Sequence, residues 1–283
     1  MIIVTGATGE LNGATVDHLL RHVSAADITV ISRDPTKASR FKDLGITVRQ
    51  ADYAEPASLP AAFEGADQLL LVSSNDPSAD AVSLHKSAID AAVQAKVGRI
   101  LYTSHQGASQ NTPFHPGRDH AATEKLLSES GVKWTSLRNG FYMHSLNWLL
   151  GNWRETNAVT VPLDGPVSWT ARSDAAEAAA LILATGGKYN GITTITATAA
   201  PTFRDIAAFL TELTGKQIDC EVLGEEEWIA AQIAAGQKEF MAKFMLGMYQ
   251  AANQRFFEGT DPLLSKLLGR DPITVKDFLA DNV

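Results

Sequence analysis

Short apolar runs alternate with amphipathic stretches through the first half of the chain, and few architectures accept that rhythm. The runs Ile2 to Thr5, Ile28 to Ile31, Ile46 to Arg49, Gln68 to Val72, Ile100 to Thr103 and Trp134 to Leu137 are compact and β-like. Helical patterns lie between them, the clearest from Ala79 to Ala95. Strands covered on both faces read this way, because helices pack on each side of the sheet. Strict alternation therefore predicts an α/β fold: a doubly wound parallel sheet with right-handed crossovers.

After residue 139 the rhythm breaks. Asn139 to Pro166 is irregular and rich in Trp, Asn and Gly. Ser173 to Thr185 is an alanine-rich helix, and Ile192 to Thr196 is a β-branched run able to rejoin the sheet. Phe203 to Thr214, Glu225 to Ala235 and Gln237 to Phe256 read as helices, with Ile218 to Val222 as a short strand.

Glycines mark the first turn. Gly6-Ala7-Thr8-Gly9 follows the first strand and precedes a helix starting near Leu11. Glycine at 6 permits a sharp turn, and glycine at 9 lets the backbone approach a pyrophosphate beside the positive end of the helix dipole. Regular spacing would put a third glycine at position 12, where it lets the helix pack closely on the strand. That position is Asn12, with Gly13 beside it. The second strand ends in Ser32-Arg33-Asp34. Arg33 supplies a charged planar fork suited to a 2′-phosphate and favours NADPH, whereas Asp34 leaves open the ribose-binding acid of an NAD site shifted by one residue. The expected organisation is a dinucleotide-binding region over 1–138 and a smaller, interleaved C-terminal substrate lobe over 139–283, with 170–200 returning to the first region.

Composition narrows the partners. With 45% hydrophobic and 20% charged residues the chain is no disordered polymer. Its 24 basic against 32 acidic residues give −8, the wrong sign for a general nucleic-acid binder. The single cysteine, Cys220, cannot form an internal disulfide and points to a reducing compartment. No apolar run approaches the roughly 18 residues of a spanning helix. MIIVTGATG reads as a strand rather than a leader. A cytoplasmic protein, without membrane or nucleic-acid partners and with a homodimer as one open state, is expected.

GATGEL at 6–11, SRDPTKA at 32–38, ITVRQADY at 46–53, YTS at 102–104, HAATEKLL at 120–127 and LRNGFY at 137–142 together resemble the NmrA-like atypical short-chain dehydrogenases. Within that family the quinone-reductase and triphenylmethane-reductase types are the most similar. The resemblance implies a Rossmann-type fold and an NADPH-dependent oxidoreductase. It places Gly6, Ala7, Thr8, Gly9, Glu10 and Leu11 around the pyrophosphate and Arg33 on the 2′-phosphate. Asp52 and Tyr53 would sit near the adenine, and Ser73 and Ser74 on the ribose side. Thr103, Ser104, Lys125, Asn139, Gly140, Phe141 and Tyr142 would surround the nicotinamide.

Short-chain dehydrogenases that reduce ordinary ketones resemble one another in a Tyr-x-x-x-Lys pair. Here Lys125 stands where that lysine belongs, but Ala121 occupies the tyrosine's place, and none of the five tyrosines has the spacing. Hydride transfer then suits an acceptor that needs little enzyme-supplied acid, such as a quinone or a conjugated cation. His120 and His144, in a group with His105, His115 and Asp119, are the candidate proton donors beside Lys125 and Tyr142. The alternatives are a non-catalytic NADP(H)-sensing regulator and a reductase of carbonyl or imine substrates. His18 and His22 have a metal-like spacing without a third ligand, so no metal is expected. Phe114, Phe141, Tyr142, Trp148 and Trp153 suit a flat acceptor or a core. Phe240, Met241, Phe244, Met245 and Met248 form a helical stripe that suits a core, a lid or a dimer face.

Overall fold

In the computed structural model, which describes residues 1–74 and 79–282, the alternation becomes β1 (Ile2–Thr5), α1 (Glu10–Leu19), β2 (Ile28–Ser32), α2 (Ser39–Asp43), β3 (Thr47–Gln50), α3 (Leu59–Phe63), β4 (Gln68–Leu71), α4 (Ala81–Gln94), β5 (Arg99–His105), α5 (His115–Glu129) and β6 (Lys133–Asn139). There follow β7 (Phe141–Tyr142), α6 (Leu146–Leu149), α7 (Trp153–Thr156), β8 (Ala158–Val161), β9 (Trp169–Thr170), α8 (Arg172–Ala184) and β10 (Gly191–Ile195). The chain ends with α9 (Phe203–Thr214), β11 (Asp219–Val222), α10 (Glu225–Ala234), α11 (Glu239–Asn253), α12 (Leu263–Leu268) and α13 (Val275–Ala280). Val283, the last residue of the expected lobe, lies outside the described residues.

A seven-stranded sheet runs in the order β10-β6-β5-β4-β1-β2-β3. β1 pairs in parallel with β2 on one side and β4 on the other, and β2–β3 and β4–β5 are parallel as well. The winding reverses at β1, so the crevice beyond the carboxyl ends of β1 and β4 is the place where such sheets take their ligands. β1 and β2 are buried along their whole length, as central strands with both faces covered must be. The edge strand β3 is exposed at both ends and half-buried between them.

Two compact units emerge from the fold. The first comprises Met1–His105, Asp119–Arg138 and Ser173–Thr193; the second comprises Gln106–Arg118, Asn139–Arg172 and Thr194–Val283. Segment 106–118, which the alternation put with the first region, packs within the second unit because Phe114 joins its apolar cluster. The first unit's core includes Ile3, Ile31, Phe63, Leu69, Ile100, Tyr102 and Leu127. That of the second is built around Trp169, Phe203, Trp228, Tyr249 and Phe257. The stripe on α11 splits: Met245 and Met248 are buried there, while Phe240 and Phe244 are exposed.

Candidate functional site

The glycine turn is shaped by steric necessity. Gly6 has φ +62°, and a Cβ on it would lie 2.6 Å from Val72 Cγ1. Gly9 donates its N–H to the Gly6 carbonyl at 3.0 Å and caps α1 in an extended conformation, with no side-chain hydrogen bond at that cap. Thr8, Gly9 and Glu10 are exposed at the turn, Ala7 is buried beneath it and Leu11 is half-buried. Asn12 is buried and donates from Nδ2 to the Thr5 carbonyl at 2.8 Å. The close-packing glycine has moved to position 13: a Cβ on Gly13 would stand 2.9 Å from the Ala7 carbonyl. The departure at position 12 thus leaves helix and strand in close contact. Turn and helix fit a dinucleotide diphosphate, since a branched side chain at 9 would crowd the Gly6 carbonyl and cover the positive end of α1.

At the tip of β2, Asp34 is committed to its own chain. Its Oδ1 accepts from the Thr36 N–H at 3.0 Å and the Thr36 hydroxyl at 2.6 Å, and these bonds hold its carboxyl below the usual carboxylate range. Through Oδ1 the carboxylate caps the short helical turn that follows. Arg33 beside it is exposed, and Gln50 Nε2 fixes its carbonyl at 3.0 Å.

Asp52 accepts from the Ala54 N–H at 3.0 Å. Tyr53 plays a structural part. Its hydroxyl donates to Thr5 Oγ1 at 2.6 Å and lies 3.2 Å from the Val72 carbonyl. Thr5 Oγ1 also accepts from the Val72 N–H and donates to the Leu70 carbonyl, so this phenol fastens the ends of β1 and β4 together. Burial raises its pKa well above that of an ordinary tyrosine. Ser73 N–H donates to Thr103 Oγ1 at 2.9 Å, which ties the loop after β4 to β5. Ser104 turns its hydroxyl to Glu124 Oε1 at 2.8 Å, where Ser136 Oγ and Arg138 Nε also donate, and Arg138 Nη2 reaches Oε2 at 2.5 Å. That buried carboxylate organises α5 and β6 and takes the Ser104 side chain away from any ligand.

Lys125 stands on the outer face of α5, 65% exposed, with Nζ 3.9 Å from Glu129. Helical periodicity explains the placement. Thr123, Glu124 and Leu127 hold the buried face of α5, and position 125 falls on the other side. The structure therefore does not bring Lys125 together with Thr103 and Ser73.

It does assemble a histidine–tyrosine cluster. His85 Nε2 accepts from the Ser74 N–H at 2.7 Å, so in the neutral ring Nδ1 carries the proton and donates to Thr123 Oγ1 at 2.8 Å. Tyr102 Oη lies 3.5 Å from that protonated Nδ1 and 2.8 Å from His120 Nδ1, within hydrogen-bond reach of the second ring. The His120 ring stacks on His105 at 6.2 Å. Burial pulls His85 and His105 down to about 4 and His120 well below the ordinary histidine value, aided at His120 by the neighbouring histidines and Arg138. These rings are neutral near pH 7.

In the second unit Asn139 Nδ2 donates to Tyr142 Oη at 3.1 Å, and burial raises that phenol to about 12. His144 stacks on Tyr142 at 5.8 Å, with its pKa lowered by burial, and the Arg172 guanidinium lies 5.9 Å from the Tyr142 ring centre. Gly140 admits no side chain, since a Cβ would meet Thr170 Oγ1 at 2.1 Å. Phe141 points its ring into the aromatic core against Trp169 and Phe257. Burial pushes the Cys220 thiol up to about 11, which makes it unreactive.

Sequence reasoning missed His85, Tyr102, Glu124 and Arg172. A histidine in the apolar stripe of α4, with Ala88, Ile89 and Ala92, is the one signal that pointed to a buried polar cluster.

The chain matches the NmrA-like family over residues 1–278. Quinone oxidoreductase 2 of Escherichia coli is 34% identical over 99% of this chain and 98% of its own length. The crystal structure of the NADPH-dependent quinone oxidoreductase from that organism, complexed with NADPH, superposes with a TM-score of 0.93 at 32% identity, covering 100% of this chain and 99% of the other. The Citrobacter sp. triphenylmethane reductase complexed with NADP(H) follows at 0.90 and 31%, with both chains covered completely. With the whole sheet and the glycine turn matched in this way, the chain belongs to the NmrA-like family.

Proposed function

We propose that the protein is an NADPH-dependent oxidoreductase that passes a hydride to a quinone-like or otherwise conjugated small molecule. The observation that carries the cofactor is the tip of β2, where Arg33 is exposed and Asp34 Oδ1 is engaged by Thr36. A permanent, exposed cation there suits a 2′-phosphate. The E. coli relative solved with NADPH and the Citrobacter relative solved with NADP(H) support the same assignment.

The nicotinamide ring supplies the hydride when bound. The protein binds the diphosphate at Gly6 to Leu11 and the 2′-phosphate at Arg33. Proton supply favours the conjugated acceptor. His120 is held neutral, and Tyr142 keeps its proton to about pH 12 with an oxygen already accepting from Asn139. Neither offers a strong acid at pH 7, so the best substrates are those whose reduced form delocalises its charge and takes a proton from water. NADPH oxidation assayed against quinones, cationic dyes, enones, aldehydes and imines tests this. Turnover is expected with the first two classes; turnover confined to aldehydes or imines would overturn the acceptor assignment. Cofactor binding without turnover of any class would mark a sensor.

Arg33→Ala is expected to weaken NADPH binding by about 10- to 100-fold, the worth of a charged hydrogen bond, and to leave NADH unchanged. Equal losses, measured by calorimetry, would show that Arg33 does not read the phosphate. For Lys125→Ala, on an exposed helical face, the expectation is a change in stability within about 0.5 kcal/mol and a cofactor KM within about twofold. A severalfold rise in that KM would return Lys125 to the ribose.

A further inference from the structure

β4 ends at Leu71, which is also its last residue in register with β5. Side chains from three different elements take up the next three backbone N–H groups. Val72 donates to Thr5 Oγ1 of β1 at 2.9 Å, Ser73 to Thr103 Oγ1 of β5 at 2.9 Å and Ser74 to His85 Nε2 of α4 at 2.7 Å. The glycine turn backs onto this segment, because Val72 Cγ1 stands 2.6 Å from the point a Cβ on Gly6 would occupy. Residues 72–74 thus follow the carboxyl end of β4, beside the turn and at the place where the winding reverses.

The third of these bonds is the most conditional. A hydroxyl oxygen keeps lone pairs to accept an N–H, whereas an imidazole accepts only at a bare ring nitrogen. A chain of bonds with a single polarity sets which nitrogen is bare. Thr123 spends its hydroxyl proton on the Asp119 carbonyl of α5 at 2.8 Å, so its oxygen is left to accept from His85 Nδ1 at 2.8 Å. The ring proton therefore sits on Nδ1, and Nε2 is open to Ser74. Burial, which pulls the ring's pKa down to about 4, keeps it neutral near pH 7.

We propose that His85 is a positioning residue for cofactor binding: its bare Nε2 holds Ser74, and with it the segment behind the glycine turn, in the arrangement that accepts NADPH; this rests on the NADPH assignment above. β2 and β4 flank β1 on opposite sides. A ligand anchored at Arg33 reaches the β4 side only if it extends past its first phosphates. NADPH has that length, and 2′,5′-ADP, which lacks the second nucleotide, does not.

Two measurements use the unaltered protein. Nitrogen–proton correlation spectra at pH 7 should show the His85 proton on Nδ1. Hydrogen exchange of the Ser74 amide should slow about tenfold or more with saturating NADPH, whose binding needs the bond intact, and less than about twofold with saturating 2′,5′-ADP. A proton on Nε2, or the same exchange rate with and without NADPH, overturns the proposal whatever the variants do. His85→Leu is close in volume and removes the acceptor, whereas His85→Gln sets an amide oxygen as far from Cα as Nε2 is. By calorimetry the NADPH dissociation constant should rise about 5- to 30-fold in His85→Leu, stay within about threefold in His85→Gln, and leave 2′,5′-ADP unchanged in both. A merely structural histidine would lower the melting temperature of His85→Leu and either spare both affinities or weaken both together. Either result, or no rescue by glutamine, overturns the positioning role and leaves the cofactor assignment standing. Failure of the unaltered protein to bind NADPH overturns that assignment and this proposal with it.

Discussion

Gly9→Val is expected to give a folded protein whose affinity for NADPH is lower by about 100-fold or more, the loss of several charge-assisted hydrogen bonds at the diphosphate. Gly9 has φ −86° and ψ 161°, an extended conformation that valine adopts without strain, so the backbone accepts the change. The branched side chain instead starts 3.3 Å from the Gly6 carbonyl and covers the positive end of α1. Thermal shift by NADPH should disappear while the ligand-free melting temperature moves little. Gly6→Val is the contrast: φ +62° and the 2.6 Å approach to Val72 predict a loss of fold as well as of binding. A folded Gly9→Val protein that kept its affinity would sink the phosphate-cradle assignment.

Stability should fall steeply as the pH drops from about 6.5 towards 5. The sign follows from which state binds the extra protons. His85 and His105 titrate at about 4 in the folded protein and His120 well below the ordinary value, whereas an unfolded histidine titrates near 6.5. Folded pKa values below the unfolded ones give stability that is complete above about 6.5 and is lost as the pH falls through the folded values. Three such groups correspond to a limiting slope of about 4 kcal/mol per pH unit, large beside a typical total of about 5–15 kcal/mol. Urea midpoints measured between pH 7 and 5 read that slope directly. Constant stability over this window would mean that the cluster is hydrated or already charged.

The same neutrality bears on kinetics. A catalytic imidazolium would impose a steep decline above its pKa, and the cluster has none to offer near pH 7. The acceptor's own chemistry should therefore shape the pH profile.

The first half of the fold was legible because each central strand carries its own evidence. IIVT and ITVIS are apolar on both faces, and the glycines at 6 and 9 stand between a strand and a helix where a diphosphate would lie. Arg33 and Asp34 were legible as a pair in which Arg33 favoured NADPH, but not the reason Asp34 turns aside. The Thr36 bonds that withdraw Asp34 arise from a short helical turn whose geometry no spacing rule supplies. For Lys125 two signals differ: the motif offset offers it to the site, while the periodicity of α5, readable in Thr123 and Leu127, turns it outward. The partners of Tyr53 and Ser104 were not legible, because Thr5 on β1 and Glu124 on α5 lie far from them in sequence. β8 and β9, short strands in the irregular stretch after residue 139, left no periodic trace. α13, which the structure caps with the Thr274–Asp277 box, was not read from the sequence either.

The chain passes from one unit to the other after residues 105, 118, 138, 172 and 193. This has a consequence for synthesis. β10, the edge strand beside β6, is translated some 50 residues after its neighbour, so on the ribosome β6 presents bare N–H and C=O groups until residues 191–195 emerge. The intervening residues belong largely to the second unit, whose core is finished only when α11 and α13 have also been made. Neither unit can close as a contiguous stretch of nascent polypeptide. An unpaired sheet edge during elongation places the hazard of aggregation in translation rather than in the finished protein.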